Sequence, residues 1–476
     1  MMNSFLPRIR SFTTRTKPRE EIGLQVRGYL LFLGLSFFLG AGLFAPLALD
    51  AQTLTLEKAR TMALSNSRSL AKLNMSIRGS LIDERNQLFS MLPSPSASYS
   101  ASVDYLEKDS GFVNPADTFN SSLTLSVTQK IFEGGKSFIQ REIGKIATES
   151  VRKDMLSEYF NVLDSADNAY YAVLEAAATL EAGESSLQAA VLSLAVAEIR
   201  QANGMINQGD YLKALADKET RENSRNQTRR TLALNMNKLK TIIGVSENIE
   251  LEQINFDAYE GLILFLAGIS DEDAQSLYER FWGIIVKDNP SFAKAALGKQ
   301  RAEMNHTLTK RDLAPVISAT IFSTGFNYSA ARGYSNSLTG GVTLRGTIPI
   351  DFWVFSNKLK KSEIALESSN LDYLGAEISM ETELQSSLLS VFAQAGSALS
   401  SRRSVEYAEK HFEFVMERYR LSQSSVSDVG EATTLLITNQ NNLIKARYGF
   451  LQSLSKLRSL SAIDEEARLL EILQGK

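Results

Sequence analysis

The sequence predicts a mainly α-helical protein with a transmembrane β-barrel, built from two tandem helix–hairpin–helix–helix repeats. The first observation is that the chain repeats its own order. A helical stretch reaches Pro93 and again Pro315, alternating segments follow each proline, and further helical stretches follow these. A repeated order is weighed before any other feature. The second observation is that the stretches 136 to about 203 and 357 to about 420 lack proline. Each would form a helix roughly 100 Å long.

The N-terminus is basic up to residue 28 and then apolar and uncharged from Tyr29 to Leu49. Small residues around Ala51 follow this run, as at the site where a signal peptide is cleaved. We therefore predict that residues 1–51 are a secretory signal peptide. A retained membrane anchor is the alternative, because the run is just long enough to span a bilayer. In both cases the rest of the chain leaves the cytoplasm.

The first repeat is predicted to cover residues 52–245. Apolar residues recur at helical spacing over 53–91, which predicts one helix before Pro93. Serine and threonine then alternate with apolar residues, and this pattern predicts strands at about 95–107 and 119–132. The long helical stretch and a further helix, about 210 to 244, complete the repeat.

The second repeat is predicted to cover residues 271–463, with strands at about 315–328 and 337–351 and a last helix at about 425 to 463. Residues 246–270 between the repeats are predicted to be an irregular connector. The apolar run at 262–267 within it is interpreted as a buried strand or a connecting element. Residues 464–476 form a C-terminal tail.

Composition excludes several classes of function. The net charge is -3 and no basic domain stands out, so no nucleic-acid partner is expected. The chain has no cysteine, which suits a bacterial envelope protein without disulfides. Its histidines, His306 and His411, lie on separate helical stretches, so no metal site is expected. No phosphate-binding loop or nucleophile with a histidine partner is present, and we therefore expect neither enzymatic activity nor a cofactor.

The predicted strands are apolar on one side and rich in small polar residues on the other. This pattern suits a transmembrane barrel with lipid outside and water inside, although a half-buried strand of a soluble sheet has the same alternation. Four strands cannot close a barrel, and an open edge in hydrocarbon leaves backbone groups unpaired. The sheet would therefore close with copies of itself, from two chains or three. Arg345 falls on the polar side and would point into the lumen.

Four motifs then carry a resemblance to a known family. Leu54–Ala59 and Lys287–Phe292 resemble the opening and the helix turn of TolC-like outer membrane efflux proteins, and Gln129–Gly135 and Asn168–Tyr171 are similar to their strand end and long helix. The resemblance implies a homotrimer whose twelve-stranded outer-membrane barrel, surrounded by lipid, continues as a periplasmic α-helical barrel. It also implies two partners, a periplasmic adaptor (membrane fusion) protein and an inner-membrane pump. One departure is Lys130, which replaces the family's usual proline.

The resemblance also implies an entrance at the helix tips. Asp428 and Glu431 match positions where the family places acidic rings, and Asp210 and Tyr419 match partners in the closed entrance. Ser424 stands where the family has a bridging arginine. The alternative for the two carboxylates is that they complement the dipole of a helix N-terminus.

Two further groups of residues are candidates. Gly204, Met205 and Ile206 at the first tip, and Ser422 and Gln423 at the second, match the adaptor-docking tips of the family. A plain interhelical turn explains the glycine equally well. The aromatic residues Phe132, Phe352 and Trp353 suit a girdle at the membrane interface, with core packing as the alternative.

The function we predict is a passive export duct of a tripartite efflux or type I secretion system. The first alternative is a structural or adhesive envelope protein. In such a protein the long helices would be the functional part, and the hairpins would serve only as its anchor. The second alternative is a periplasmic adaptor anchored at Tyr29–Leu49. An adaptor would have one helical hairpin flanked by β-domains, which is not the order of this chain.

Overall fold

The computed structural model describes residues 53–103, 107–108, 111–112, 119–247, 249–329, 333–335, 338–421 and 423–475. The predicted signal peptide at 1–51 lies outside these residues. The helices are α1 (Leu56–Asn66), α2 (Arg68–Phe89), α3 (Lys136–Ala202), α4 (Gln208–Ile243), α5 (Asp257–Ala267), α6 (Asp271–Asp288), α7 (Pro290–Lys310), α8 (Phe352–Arg420), α9 (Val426–Ser461) and α10 (Glu466–Leu473). The strands are β1 (Ser94–Val103), β2 (Glu107–Lys108), β3 (Gly111–Phe112), β4 (Phe119–Phe132), β5 (Val316–Ser329), β6 (Gly333–Ser335) and β7 (Thr339–Thr347).

The described chain is mostly helical, with a five-stranded antiparallel sheet and a separate pair of short strands. The order α1, α2, β1, β4, α3, α4 recurs as α6, α7, β5, β7, α8, α9. The prediction of a single helix over 53–91 is wrong, because the backbone is extended at Ser67 and separates α1 from α2. The Ser67 hydroxyl accepts a hydrogen bond from the Leu70 amide at 3.3 Å and so caps α2.

The same break occurs between α6 and α7. The Asn289 side chain accepts a hydrogen bond from the Phe292 amide at 2.9 Å, and its own amide group donates to the Leu460 carbonyl at 2.7 Å. Pro290 begins α7 and Arg68 begins α2 at the matching place. Both residue types fit, since the first helical amide needs no partner within its helix.

The connector between the repeats is not irregular throughout. Residues 257–267 form helix α5, so the interpretation of its apolar run as a strand is wrong. Asp257 and Glu260 lie in the first turn, where they complement the helix dipole. Leu262, Ile263 and Leu266 are buried at helical spacing, whereas a strand would bury alternate residues. The C-terminal tail likewise contains α10, with Leu469 and Leu473 fully buried.

The four long strands form one sheet in the order β1-β4-β5-β7, with every neighbouring pair antiparallel. The pairing of β4 with β5 joins the two repeats. The last strand ends at Thr347 rather than near 351, and α8 already begins at Phe352. Two short pairs, β2 with β3 and β5 with β6, lie at the far end from the helices.

The long helices pack in pairs, α3 with α4 and α8 with α9, and α3 also packs on α9. Their buried residues recur at alternating steps of three and four, as in Ser186, Ala190, Ser193 and Ala197 of α3. This spacing is typical of coiled-coil packing. The largest apolar core lies where α1, α5, α6 and α10 pack around the long helices.

A buried ion cluster ties the two repeats together inside this core. Asp167 of α3 is fully buried and pairs with Arg60 of α1 at 2.6 Å and Arg458 of α9 at 2.8 Å. Ser455 donates a hydrogen bond to the same carboxylate at 2.7 Å, and Glu466 of α10 pairs with Arg60 at 3.2 Å. The cluster therefore connects helices from both ends of the described chain.

We expect Asp167→Ala to lower the free energy of unfolding by about 3 to 5 kcal/mol, because it removes the carboxylate that Arg60 and Arg458 share and leaves the buried Arg458 without an ion pair among the described residues. Thermal unfolding of the purified protein in detergent, followed by circular dichroism, measures the loss. Glu406→Gln is the control, since Glu406 pairs with Lys410 in an exposed i,i+4 contact at 2.7 Å. Equal effects of the two substitutions would show that burial of the cluster does not matter.

Candidate functional site

One face of the sheet is lined with hydroxyl groups. The strand register places serine and threonine side chains opposite one another in rows that cross several strands. Within these rows the hydroxyls pair across strands at 2.8 to 3.0 Å; the pairs are Ser96 with Ser126, Ser100 with Ser122, Thr124 with Thr324 and Thr128 with Thr320. The face is therefore polar, and Lys130 and Arg345 are the charged residues that the four long strands place on it.

The opposite face is apolar and exposed. Leu125 on β4 and Val342 on β7 are 55% and 73% exposed, and Val127, Ile321 and Leu344 are exposed on the same side. No layer of helices covers these side chains among the described residues. Alternation of side chains along each strand produces both faces from one sequence pattern.

Phe322 is an exception on the hydroxyl face. It lies opposite Gly341 of β7, and a Cβ atom at Gly341 would approach the Phe322 ring to 3.1 Å. The glycine thus leaves room for the ring to lie across the neighbouring strand. The sequence patterns did not single out this pair.

The predicted girdle residues are exposed but do not all lie on strands. Phe132 ends β4, whereas Phe352 and Trp353 form the first turn of α8. Trp353 is 69% exposed. Core packing of these side chains within one chain is not observed.

The first predicted tip is the turn between α3 and α4. Gly204 has φ of 68°, in the left-handed region, and no atom lies within 4 Å of a Cβ built on it. The Met205 amide donates to the Arg200 carbonyl at 2.8 Å and closes the helix end. Glycine is therefore required here by backbone conformation. Met205 is 67% exposed, and Ile206 packs partly against the core of the tip.

The second predicted tip is the turn between α8 and α9. The Gln423 amide donates to the Arg418 carbonyl at 2.8 Å, and the Arg418 guanidinium donates to the Gln423 carbonyl at 3.2 Å. Ser422 lies outside the described residues. Leu421 at the start of this turn is 59% exposed, so this tip, like the first, presents an exposed apolar side chain.

Asp428 caps helix α9. Its carboxylate accepts hydrogen bonds from the Ser425 amide and the Ser424 hydroxyl, both at 2.8 Å, while its own amide donates to the Ser425 hydroxyl at 3.2 Å. This reciprocal arrangement is a capping box. The hydrogen bond from the Ser425 amide, followed by that from Ser424, lowers the pKa of Asp428. The exposed carboxylate therefore stays ionised at neutral pH.

Glu431 has different surroundings from Asp428. It lines an open groove of about 590 Å³ between α4 and α9, together with Lys213 and Asp217 of α4. Asp428 does not line this groove. The spacing of three residues places both carboxylates near the start of α9, but only Asp428 makes the capping contacts.

Asp210 lies at the start of α4, and Tyr419 lies near the end of α8. Asp210 lies in the first turn of α4, where its amide donates to the Asn207 side chain at 2.9 Å. Tyr419 is fully buried, and its hydroxyl lies 3.4 Å from the Ser193 carbonyl. Burial raises the pKa of Tyr419, and the charge of Asp210 raises it further, while Arg200 lowers it. The charge of Asp210 therefore disfavours ionisation of Tyr419.

Arg200 is the residue that the sequence reasoning missed. Its guanidinium carbon lies 4.3 Å from the centre of the Tyr419 ring, and the guanidinium also donates to the Tyr419 carbonyl. Arg200 is buried and joins the end of α3 to the end of α8. A signal existed, because Arg200 continues the buried three-and-four spacing of α3, where a charge needs a partner.

In the part of the chain that the structure describes, no helix is long and apolar enough to cross a membrane. Across the same residues, no group of three or more acidic or histidine side chains is placed to hold a metal ion.

Comparison with known proteins gives a family match and several structural matches. The model of the family described as outer membrane efflux protein matches residues 59–245 and 284–462. The search of curated proteins finds no match.

Solved structures share the fold at low sequence identity. The CmeC outer membrane channel of Campylobacter jejuni has a TM-score of 0.71 and 14% identity, with 91% of this chain and 96% of that chain covered. The outer membrane protein VceC of Vibrio cholerae has a TM-score of 0.70 and 17% identity, with 86% and 96% covered. The MtrE outer membrane channel of Neisseria gonorrhoeae has a TM-score of 0.66 and 14% identity, with 86% and 88% covered.

We expect Gly204→Ala to destabilise the first tip by about 1 kcal/mol, because alanine disfavours the left-handed conformation that this position adopts. Faster hydrogen exchange of the amides at 203–208 would report the change. Gly79→Ala is the matched control, since Gly79 lies inside α2 with open space around it and alanine favours a helix. Unchanged exchange at 203–208 would contradict the requirement for glycine.

Proposed function

We propose a function from the premise that this chain belongs to the outer membrane efflux protein family, whose model matches more than half of its residues. It is thus a protein of the bacterial outer membrane with a large periplasmic helical part. Our proposal is that three copies form a passive duct, in which twelve strands cross the outer membrane and the long helices continue the passage through the periplasm.

The observation that carries this proposal is the two-faced sheet. Its apolar face is exposed and suits lipid, while its hydroxyl face suits a water-filled lumen. Among the described residues, β1 pairs only with β4 and β7 only with β5, so each outer strand has one unpaired edge. In a membrane these edges need partners, and copies of the same sheet supply them. A purely adhesive protein would have no need of a polar face.

The duct is proposed to work with a periplasmic adaptor and an inner-membrane pump, in tripartite efflux or type I secretion. The chain offers no chemistry that would drive transport, so the pump would supply the energy. The turns at Gly204–Ile206 and at Gln423 are the proposed adaptor contacts. Met205 and Leu421 support this role, because each exposes an apolar side chain at its tip.

At the entrance, Asp428 and Glu431 of three copies are proposed to form acidic rings. Tyr419 would be held within its own chain by Arg200, which lies over the face of its ring. This contact would substitute for the bridging arginine that Ser424 replaces. Ser424 itself donates to Asp428 and so belongs to the helix cap.

The facing of the strands is tested by four arginine substitutions. We expect Leu125→Arg and Val342→Arg to impair membrane assembly, because a cation facing lipid at the bilayer midplane costs roughly 2 to 4 kcal/mol. Ser126→Arg and Thr343→Arg, one residue further along each strand, should assemble and change the single-channel conductance. Assembly is measured as heat-modifiable trimer in outer-membrane fractions. Equal tolerance at all four positions would refute the proposed facing.

The acidic entrance is tested without disturbing the helix cap. Asp428→Asn combined with Glu431→Gln removes both charges but keeps the side-chain oxygen that caps α9. We expect cation preference, obtained from reversal potentials in planar bilayers, to fall about twofold, because the local potential loses its fixed negative charge. Thermal stability of the trimer should not change.

Asp428→Ala separates the two roles, because it removes both the charge and the capping oxygen. We expect this variant alone to show lower stability of α9 in hydrogen exchange. If the Asn/Gln variant keeps wild-type selectivity, the acidic rings do not exist and Asp428 acts only as a cap.

A further inference from the structure

Charge on the long strands is confined to two residues. Lys130 and Arg345 are the only lysine, arginine, aspartate or glutamate residues within β1, β4, β5 and β7. Both are basic, so these strands carry positive charge alone. Neither residue was assigned a role in the duct beyond the predicted facing of Arg345.

The two cations flank one hydroxyl group. The register pairs Lys130 of β4 with Ser318 of β5, and Ser318 with Arg345 of β7. Residues directly opposite one another share a face of the sheet, so these three side chains form a row on the hydroxyl face. Two strand spacings, roughly 10 Å, separate the backbones of Lys130 and Arg345.

The row retains positive charge after its ion pairs are considered. Lys130 is exposed and lies 3.3 Å from Glu133, beyond the end of β4. A second acidic group near this end, Asp312, is paired with Lys136 at 2.9 Å. Arg345 is exposed, and its guanidinium has no hydrogen bond or ion pair within the described part of the chain.

We propose that Lys130, Ser318 and Arg345 form a binding site for the carboxylate or phosphate groups of anionic solutes. The inference rests on the proposed duct, in which the hydroxyl face lines the lumen. A guanidinium fork binds such oxyanions through two hydrogen bonds, and an ammonium and a hydroxyl add further donors. In nearby rows Thr128 pairs with Thr320 and Thr124 with Thr324, and neither row carries a cation, so this row is the favoured place for an anion.

The row lies where the strands meet the long helices. Lys130 lies two residues before the end of β4, and Arg345 lies two residues before the end of β7, where α3 and α8 follow shortly after. Every solute that leaves the helical part of the duct for the barrel would pass this level. Three copies would place three such rows around the lumen at the same height.

The test measures block of the channel by small anions in planar bilayers. The probes are citrate and inorganic pyrophosphate, added separately, and the readout is the concentration that halves the ionic current. For the variant Lys130→Ser with Arg345→Ser we expect this concentration to rise about tenfold, because two charged donors are lost. Block by citrate assigns carboxylates as ligands, and block by pyrophosphate assigns phosphates.

Two controls separate the site from general effects. The exchange Lys130→Arg with Arg345→Lys keeps both charges and should retain most of the block. Arg345→Ser alone removes a side chain without contacts, so it should assemble normally and weaken block about threefold, through loss of one charged group. Block equal in wild type and both serine variants, or no block of conducting wild type by either probe, would overturn the anion site alone. A wild-type protein that forms no channel would instead overturn the proposed duct.

Discussion

Hydrogen bonding of strand edges is the constraint on which the rest of this architecture depends. In the described chain the sheet has four long strands, and its outer strands β1 and β7 each have one paired side. Such edges are tolerated in water but not in hydrocarbon. The apolar face can be accepted by lipid only if the edges close, and the proposed closure with copies of the chain satisfies both requirements. The pairing of β4 with β5 is equally important, because it joins the strands of the two repeats into one sheet.

In the helical part, the contacts of buried arginines join the two repeats. Asp167 receives two arginines that are almost 400 residues apart in sequence, since Arg60 lies in α1 and Arg458 in α9. At the tips, Arg200 of the first repeat holds Tyr419 of the second through its ring face and carbonyl. Each contact uses a buried arginine whose charge requires a partner, so each specifies one arrangement of the helices and disfavours others.

The sequence was most informative where a pattern is local. The alternation of polar and apolar residues predicted the bounds of the four long strands to within a few residues. The absence of proline predicted the long helices. Both predictions succeed because each pattern extends over many residues. The break at Ser67 was missed since one serine cap among many serines has no periodicity. The run at 262–267 is too short to distinguish a strand from a helix by pattern. Arg200 could not be paired with Tyr419 from sequence, because the contact crosses 219 residues. Of the entrance residues, the structure explains Asp428 through capping contacts that its spacing already suggested.

The hydroxyl rows have a consequence for the movement of solutes. Serine and threonine oxygens on this face bond to one another across the strands, so their hydrogen-bonding capacity is partly occupied within the wall. In the proposed duct, a passing molecule would therefore gain little by leaving water for this face, and its residence time at any point would stay short. Such a surface would be well hydrated and would bind few solutes for long. Low adhesion of this kind suits a passage that must carry chemically varied molecules without being clogged by any one of them.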